Sequence, residues 1–202
     1  PSATDITCFG LCNGVLSAVV AGGTPCPGYT FQWFDAATGL PTGGTTNPDG
    51  GNCAGDYFLE VTDCNGCIQN SSVETINEPT QVTLVVTPVD VLCNNVCSGS
   101  ASAVTGGGTG ALSVEWFSLP GNISLGTGAS VSNLCAGSYY AEVTDGNNCQ
   151  DTVQFIITQP LALSVVTEAS TNVTCNGFCN GTTTFDVTGG TAPYTINWFD
   201  AA

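Results

Sequence analysis

The chain contains no lysine, arginine, histidine or methionine. Set against 16 acidic residues, that leaves a formal net charge of −16. Lys and Arg ordinarily make up roughly a tenth of a chain, so their complete absence is not chance. Several functions fall away with them. Nucleic acid is not an expected partner, because nothing can neutralise its phosphates. Without imidazole or ammonium there is no His-dependent triad, no Lys Schiff base and no phosphate clamp. A positive membrane-facing patch cannot form, and no apolar run approaches the ~20 residues of a membrane span. Trypsin-like proteases find no cleavage site.

What is present reads as a folded, cross-linked chain. Hydrophobic residues make up 42% and charged ones 8% of 202 residues, whereas disordered acidic chains are apolar-poor. Twelve cysteines with 26 glycines and 10 prolines point to a disulfide framework formed in an oxidising compartment. Metal-binding thiolates are the alternative, but zinc sites recruit histidine and CxxC pairs. Only Cys64 and Cys67 form a CxxC.

The sequence repeats itself. Cys8-Phe-Gly-Leu-Cys12-Asn-Gly14 recurs as Cys93-Asn-Asn-Val-Cys97-Ser-Gly99 and as Cys175-Asn-Gly-Phe-Cys179-Asn-Gly181. Gly22-Gly23 aligns with Gly106-Gly107 and Gly189-Gly190, and Trp33-Phe34 with Trp116-Phe117 and Trp198-Phe199. Cys53-Ala-Gly-Asp-Tyr57 matches Cys135-Ala-Gly-Ser-Tyr139, and Val61-Thr-Asp63 matches Val143-Thr-Asp145. The expected organisation is repeat 1 at 1–79 without its first strand, repeat 2 at 80–160, and the N-terminal half of repeat 3 at 161–202. Such a chain would be a window on a longer tandem array with a period of about 82 residues.

Within each copy the hydrophobic period is two. Tyr29, Phe31 and Trp33 alternate with polar residues, as do Leu112, Val114 and Trp116, and Tyr194, Ile196 and Trp198. Half-buried strands read this way. Further strands are expected at 15–21, 57–63, 68–76, 81–87, 100–105, 139–145, 150–158, 161–167 and 182–188. No helical stripe of useful length occurs. The fold class is all-β, a series of tandem immunoglobulin-like β-sandwiches. Tyr57 and Tyr139 stand where the tyrosine corner of such folds stands, and the middle-strand Trp fills the core.

The pattern Cys-x-Gly-x-Cys-Asn-Gly, then Gly-Gly-Thr-x-Pro-Tyr-Thr-x-x-Trp (189–198), Ala-Gly-x-Tyr and Val-Thr-Asp-x-Asn-Gly-Cys (61–67) resembles the SprB-type repeat. That repeat is found in giant surface adhesins of gliding and related Bacteroidetes. The resemblance implies an extracellular or cell-surface fibrous adhesin. Cys12, Cys53 and their counterparts exceed the cysteines of the simplest members and imply a mechanically hardened variant.

Cys26 and Cys64 belong to the first copy alone and would lie in loops at one end of its sandwich, so they are expected to pair. Cys12 with Cys53 and Cys97 with Cys135 would each join strands of opposite sheets. Two arrangements stay open for the rest. Cys8 pairs with Cys67 and Cys93 with Cys149, each within a repeat, or Cys8 reaches Cys149 of the following repeat and staples the array. Cys175 and Cys179 repeat the first pair in the third copy.

Asp63 and Asp145 sit in tight turns, where a carboxylate accepts backbone N–H bonds. With Asp5 and Asp90 near the junctions they are also candidate ligands for calcium, the one cofactor entertained, since hard oxygens in loops suit that ion. Phe34, Phe117 and Phe199 follow the core Trp and so face away from it. Beside Phe58 and Tyr140 they either tuck under loops or form an outward contact stripe for other chains or for surface polysaccharide. Asn70, Asn122, Asn172 and Asn180 head N-glycosylation sequons that a bacterium would leave bare, while Asp151-Thr152-Val153 resembles a bacterial O-glycosylation signal at Thr152.

The function expected is a non-catalytic structural and adhesive segment of a bacterial surface fibre. The other expectation is a self-assembling filament whose chains, the partners being other copies, complete one another by strand addition. A two-carboxylate glycosidase would need unusual acids in one copy, whereas Glu60 and Glu142 simply repeat.

Overall fold

The computed structural model describes residues 1–25 and 27–199, and every regular element among them is a β-strand. The chain divides into two compact units. The first takes Pro1–Leu84 with Thr105–Ser113 and Val143–Asp151. The second takes Val85–Val104, Val114–Glu142 and the described residues from Thr152 onward.

In the first unit, β1 (Ser2–Thr4), β2 (Gly14–Ser17), β3 (Thr30–Asp35), β4 (Asp49–Asn52), β5 (Gly55–Thr62), β6 (Ile68–Asn70) and β7 (Glu74–Ile76) make two antiparallel sheets. One runs β1-β2-β4, and the other β3-β5-β6 with β7 also paired to β5. Alternation decides which side chains enter. Trp33 stands opposite Leu59 in the β3–β5 register, and both are fully buried. Ile6, Leu16, Tyr57 and Ile76 close the core around them. The Trp33 indole N–H donates to the Thr46 carbonyl at 3.0 Å, so burial leaves no orphan donor. Val82, Leu84 and Val143 are also buried in this unit.

The second set comprises β8 (Thr83–Val89), β9 (Gly99–Gly106), β10 (Ser113–Leu119), β11 (Ile123–Thr127), β12 (Ser130–Leu134), β13 (Gly137–Thr144) and β14 (Gln150–Ile157). Its sheets run β12-β9-β8 and β11-β10-β13-β14. In the second unit Trp116 lies edge-on to Phe155, with centroids 5.8 Å apart, and its N–H donates to Gly128 O at 2.8 Å. Ala101, Val114, Leu134, Tyr139, Ala141 and Ile157 are buried with it. The Tyr57 hydroxyl donates to the Cys53 carbonyl at 3.0 Å and the Tyr139 hydroxyl to that of Cys135 at 2.9 Å. That backward bond is the tyrosine corner, and with paired antiparallel sheets it makes both sandwiches immunoglobulin-like.

The repeated Cys-x-Gly has a packing cause. A Cβ on Gly14 would meet Ile76 Cγ2 at 2.7 Å, and one on Gly99 would meet Ile157 Cγ2 at 2.8 Å. The last strand of each sandwich runs too close for any side chain there.

Four expectations need correction. The span 68–76 is two strands, β6 and β7, because Ser71 interrupts it: its hydroxyl oxygen accepts the Leu59 N–H at 2.9 Å. The strand expected at 15–21 ends at Ser17, where the Asn47 side chain replaces a strand neighbour by bonding both the N–H and the carbonyl of Ala18. Residues 194–198 form no strand, since they have no counterpart of β5 to pair with among the described residues. There, β15 (Ser164–Thr171) and β16 (Thr182–Thr188) form a two-stranded sheet. Finally, the double glycine of the second copy is Gly107-Gly108, one residue later than aligned. Gly22 and Gly23 have φ of 85° and 67°, matched by 70° and 67° at Gly107 and Gly108, a region that glycine alone enters freely.

Candidate functional site

A glycine pair and an aspartate clasp one end of each sandwich in the first unit. The Asp63 carboxylate accepts the N–H groups of Asn65 and Cys67 through Oδ1, both at 2.9 Å, and that of Thr24 through Oδ2 at 3.1 Å. Asp145 does the same with Asn147, Cys149 and Thr109, each at 2.8 Å. Each aspartate therefore ties its own hairpin turn to the loop after the double glycine. The N–H of Cys67, followed by that of Thr24, holds the Asp63 carboxyl below the ordinary carboxylate range. Burial is the largest influence on Asp145 and pushes it up; the N–H groups of Thr109, Cys149 and Asn147 together bring it below that range.

Asp5 and Asp90 do different work. Asp5 accepts the Asn77 N–H at 2.8 Å while Ile6 N–H bonds the Asn77 carbonyl. Asp90 accepts the Thr158 N–H at 2.7 Å, which lowers its pKa, while Val91 N–H bonds the Thr158 carbonyl. Both fix the chain just before a Glu78-Pro79 or Gln159-Pro160 linker. The linker side chains reach back into the cysteine turns: Glu78 accepts the Gly10 N–H and Gln159 the Asn95 N–H, each at 2.9 Å. Among the described residues no three Cys, Asp or Glu side chains converge in a metal-holding group.

The structure bonds Cys12 to Cys53 and Cys97 to Cys135. Of the two arrangements open for Cys8, it forms the bond to Cys149, with Cα atoms 5.6 Å apart across 141 residues of sequence. The within-repeat alternative, Cys8–Cys67 with Cys93–Cys149, does not form, since Cys8 and Cys149 are taken by each other and Cys67 and Cys93 stay free. Beside the bond the Asn147 amide donates to the Thr7 carbonyl at 2.9 Å. Cys67, Cys93, Cys175 and Cys179 are exposed free thiols. Cys26 lies outside the described residues, and the expected Cys26–Cys64 pairing with it.

Phe34 and Phe58, opposite one another in register, stack with centroids 5.1 Å apart and 6° between planes. Phe117 and Tyr140 stack at 4.7 Å and 9°. All four are half-buried on the face turned away from Trp33 and Trp116, and Gln32 pairs with Glu60 beside the first stack. Phe199, the third-copy counterpart, is 89% exposed. Thr152 is exposed on β14. The Asp clasps, the linker pins and the stacking partners all recur between copies, and that recurrence was the available signal; the linker pins were missed because Glu78 and Gln159 differ in type.

Residues 1–38 and 167–202 match the SprB repeat family. No curated protein matches the chain. Among solved structures it is similar to the three N-terminal domains of the bacteriophage RB49 highly immunogenic outer capsid protein, at 15% identity and a TM-score of 0.43, over 92% of this chain and 67% of that one. It is similar also to the amphioxus IgVJ-C2 molecule, at 14% identity and 0.34, over 79% and 100%. A Dscam structure matches at 11% and 0.33, over 66% and 38%.

Proposed function

We propose that this chain, with SprB-type sequence in both its first and last stretches, is a non-catalytic structural and adhesive segment of a bacterial fibre at or outside the cell surface. The observation that carries the reading is the Cys8–Cys149 bond, which joins the cysteine turn of one sequence copy to the Asp turn of the next. Repeats joined this way are tied by a covalent bond in parallel with the linker, so tension entering at the first copy passes to the second without loading the linker. Structural disulfides of this kind belong to oxidising surroundings outside the cytosol. The stacked pairs Phe34–Phe58 and Phe117–Tyr140, with acids and amides alongside, suit weak contacts with surface polysaccharide that repetition multiplies.

Antibody raised against the chain and applied to the intact source cells tests the reading. Labelling of extended material before permeabilisation is expected; labelling only after permeabilisation contradicts it.

A second reading, a filament completed by strand addition between chains, is favoured by one feature. The β15–β16 sheet leaves Val165 and Val166 62% and 55% exposed. Concentration-dependent fibres from the isolated chain would select it, and a monomer at all concentrations would discard it.

A further inference from the structure

The four free thiols fall into register with the bonds that are formed. Cys67 occupies the same turn as Cys149. In one turn Asp63 N–H bonds the Cys67 carbonyl, and in the other Asp145 N–H bonds that of Cys149, both at 3.0 Å. Each cysteine N–H returns to Oδ1 of its aspartate. Cys93 and Cys175 occupy the same turn as Cys8: the carbonyls of Cys8, Cys93 and Cys175 accept the N–H three residues on, from Leu11, Val96 and Phe178. Cys179 holds the place of Cys12 and Cys97 in the aligned motif.

The completed joint differs from its open halves in burial. Cys8 and Cys149 are half-buried and Asp145 is 5% exposed. Cys67 and Cys93 are exposed, Asp63 is only half-buried, and Leu92 beside Cys93 is 79% exposed. The same chain thus carries one finished joint and both of its unfinished halves.

We propose that Cys67 and Cys93 are complementary halves of a second and third copy of the Cys8–Cys149 joint, each taking as partner a further repeat of this same kind. Cys67 takes a cysteine from a Cys-x-x-x-Cys-x-Gly turn, and Cys93 takes one from an Asp-x-Asn-x-Cys turn. Cys175 is another half of the Cys93 type, and Cys179 is half of a brace of the Cys12–Cys53 type. The inference rests on the fibre reading above.

Closing each joint turns two thiols into one disulfide and releases two protons and two electrons. A protein or low-molecular-weight disulfide oxidant of the export route accepts the electrons. A cysteine thiolate attacks its S–S bond to give a mixed disulfide, the partner thiolate displaces the oxidant sulfur, and the oxidant leaves as its dithiol.

The test uses the parent protein isolated from its source. Free thiols are alkylated under denaturing, non-reducing conditions, the chain is cut with an Asp/Glu-specific protease, since trypsin has no site, and cross-linked peptides are sequenced by mass spectrometry. The expected result is no alkylation at Cys67 or Cys93, with each linked to a peptide carrying the complementary motif. Alkylated Cys67 and Cys93, a Cys67–Cys93 link within one chain (mass unchanged on reduction), or a small-molecule thiol on either overturns the proposal. Electrophoresis with and without reductant identifies the source: unchanged mass places the partner in the same polypeptide, and a fall in mass on reduction places it in a separate chain. Surface labelling of intact cells stands whichever way the mapping falls, so failure here is separable from failure of the functional reading.

Discussion

Gly14 and Gly99 show how a single atom is excluded. Each faces an isoleucine of the last strand at a distance where a Cβ would sit 2.7 or 2.8 Å from a methyl group. Gly99→Ala is therefore expected to destabilise by about 1–3 kcal/mol, the usual range for overpacking a core. Urea unfolding monitored by Trp fluorescence reads this, and an unchanged midpoint would mean that Ile157 simply moves aside. The aspartates held below their ordinary pKa, the clasp pair among them, set the expected pH response. Asp63, Asp90 and Asp145 all have pKa values below the ordinary 3.8. A carboxyl depressed in the folded state contributes its full stability above the unfolded pKa and loses it as pH falls through the folded value. Stability is thus expected to fall on acidification below about pH 4. In Asp63→Asn/Asp145→Asn the neutral-pH stability drops and the acid limb flattens. An acid limb as steep as in the parent would assign the response to other carboxyls.

At the scale of strands, what was legible and what was not divides by pattern. Trp33, Tyr57, Trp116 and Tyr139 announced their strands because large apolar side chains alternate with polar ones there. β4 reads Asp-Gly-Gly-Asn and buries only the polar Asp49 and Asn52, and β12 reads Ser-Val-Ser-Asn-Leu with Leu134 alone buried; neither carries an apolar period, and both were missed. Residues 194–198 carry the alternation of β3 yet form no strand, because a strand needs a paired backbone as well as a pattern. The cysteine braces were expected to join strands of opposite sheets, whereas each closes beside a pair within one sheet, Gly14–Asn52 or Gly99–Leu134; Cys8 had two geometrically open partners, and only coordinates chose between them. Removing the Cys12–Cys53 bond, which closes 41 residues, is expected to cost about 4 kcal/mol on the chain-entropy account. Thermal unfolding of Cys12→Ala/Cys53→Ala measures it, and a loss under a quarter of that would place the stabilisation in the Trp33 core instead.

Over the whole chain, −16 with no basic side chain means that acidic repulsion is relieved only by bulk cations. The Debye length shortens from about 30 Å at 0.01 M salt to about 8 Å at 0.15 M. The melting temperature is expected to rise across that range in sodium chloride, whereas most proteins with mixed charges respond weakly. A flat response would show that the acids lie too far apart to matter. Calcium offers a sharper comparison: a rise beyond that given by magnesium at equal ionic strength would indicate a specific site, and equal rises would indicate screening.

The Cys8–Cys149 bond joins the two sequence copies and carries tension past the 141-residue loop it closes, and single-molecule stretching of the whole chain reads this directly. The bond spans 141 residues and encloses the Cys12–Cys53 and Cys97–Cys135 loops. At ~3.4 Å per extended residue, reductant is predicted to lengthen the fully unfolded chain by about 480 Å. A gain no greater than the two inner loops allow, 41 and 38 residues, would contradict it and leave the copies joined by the linker alone.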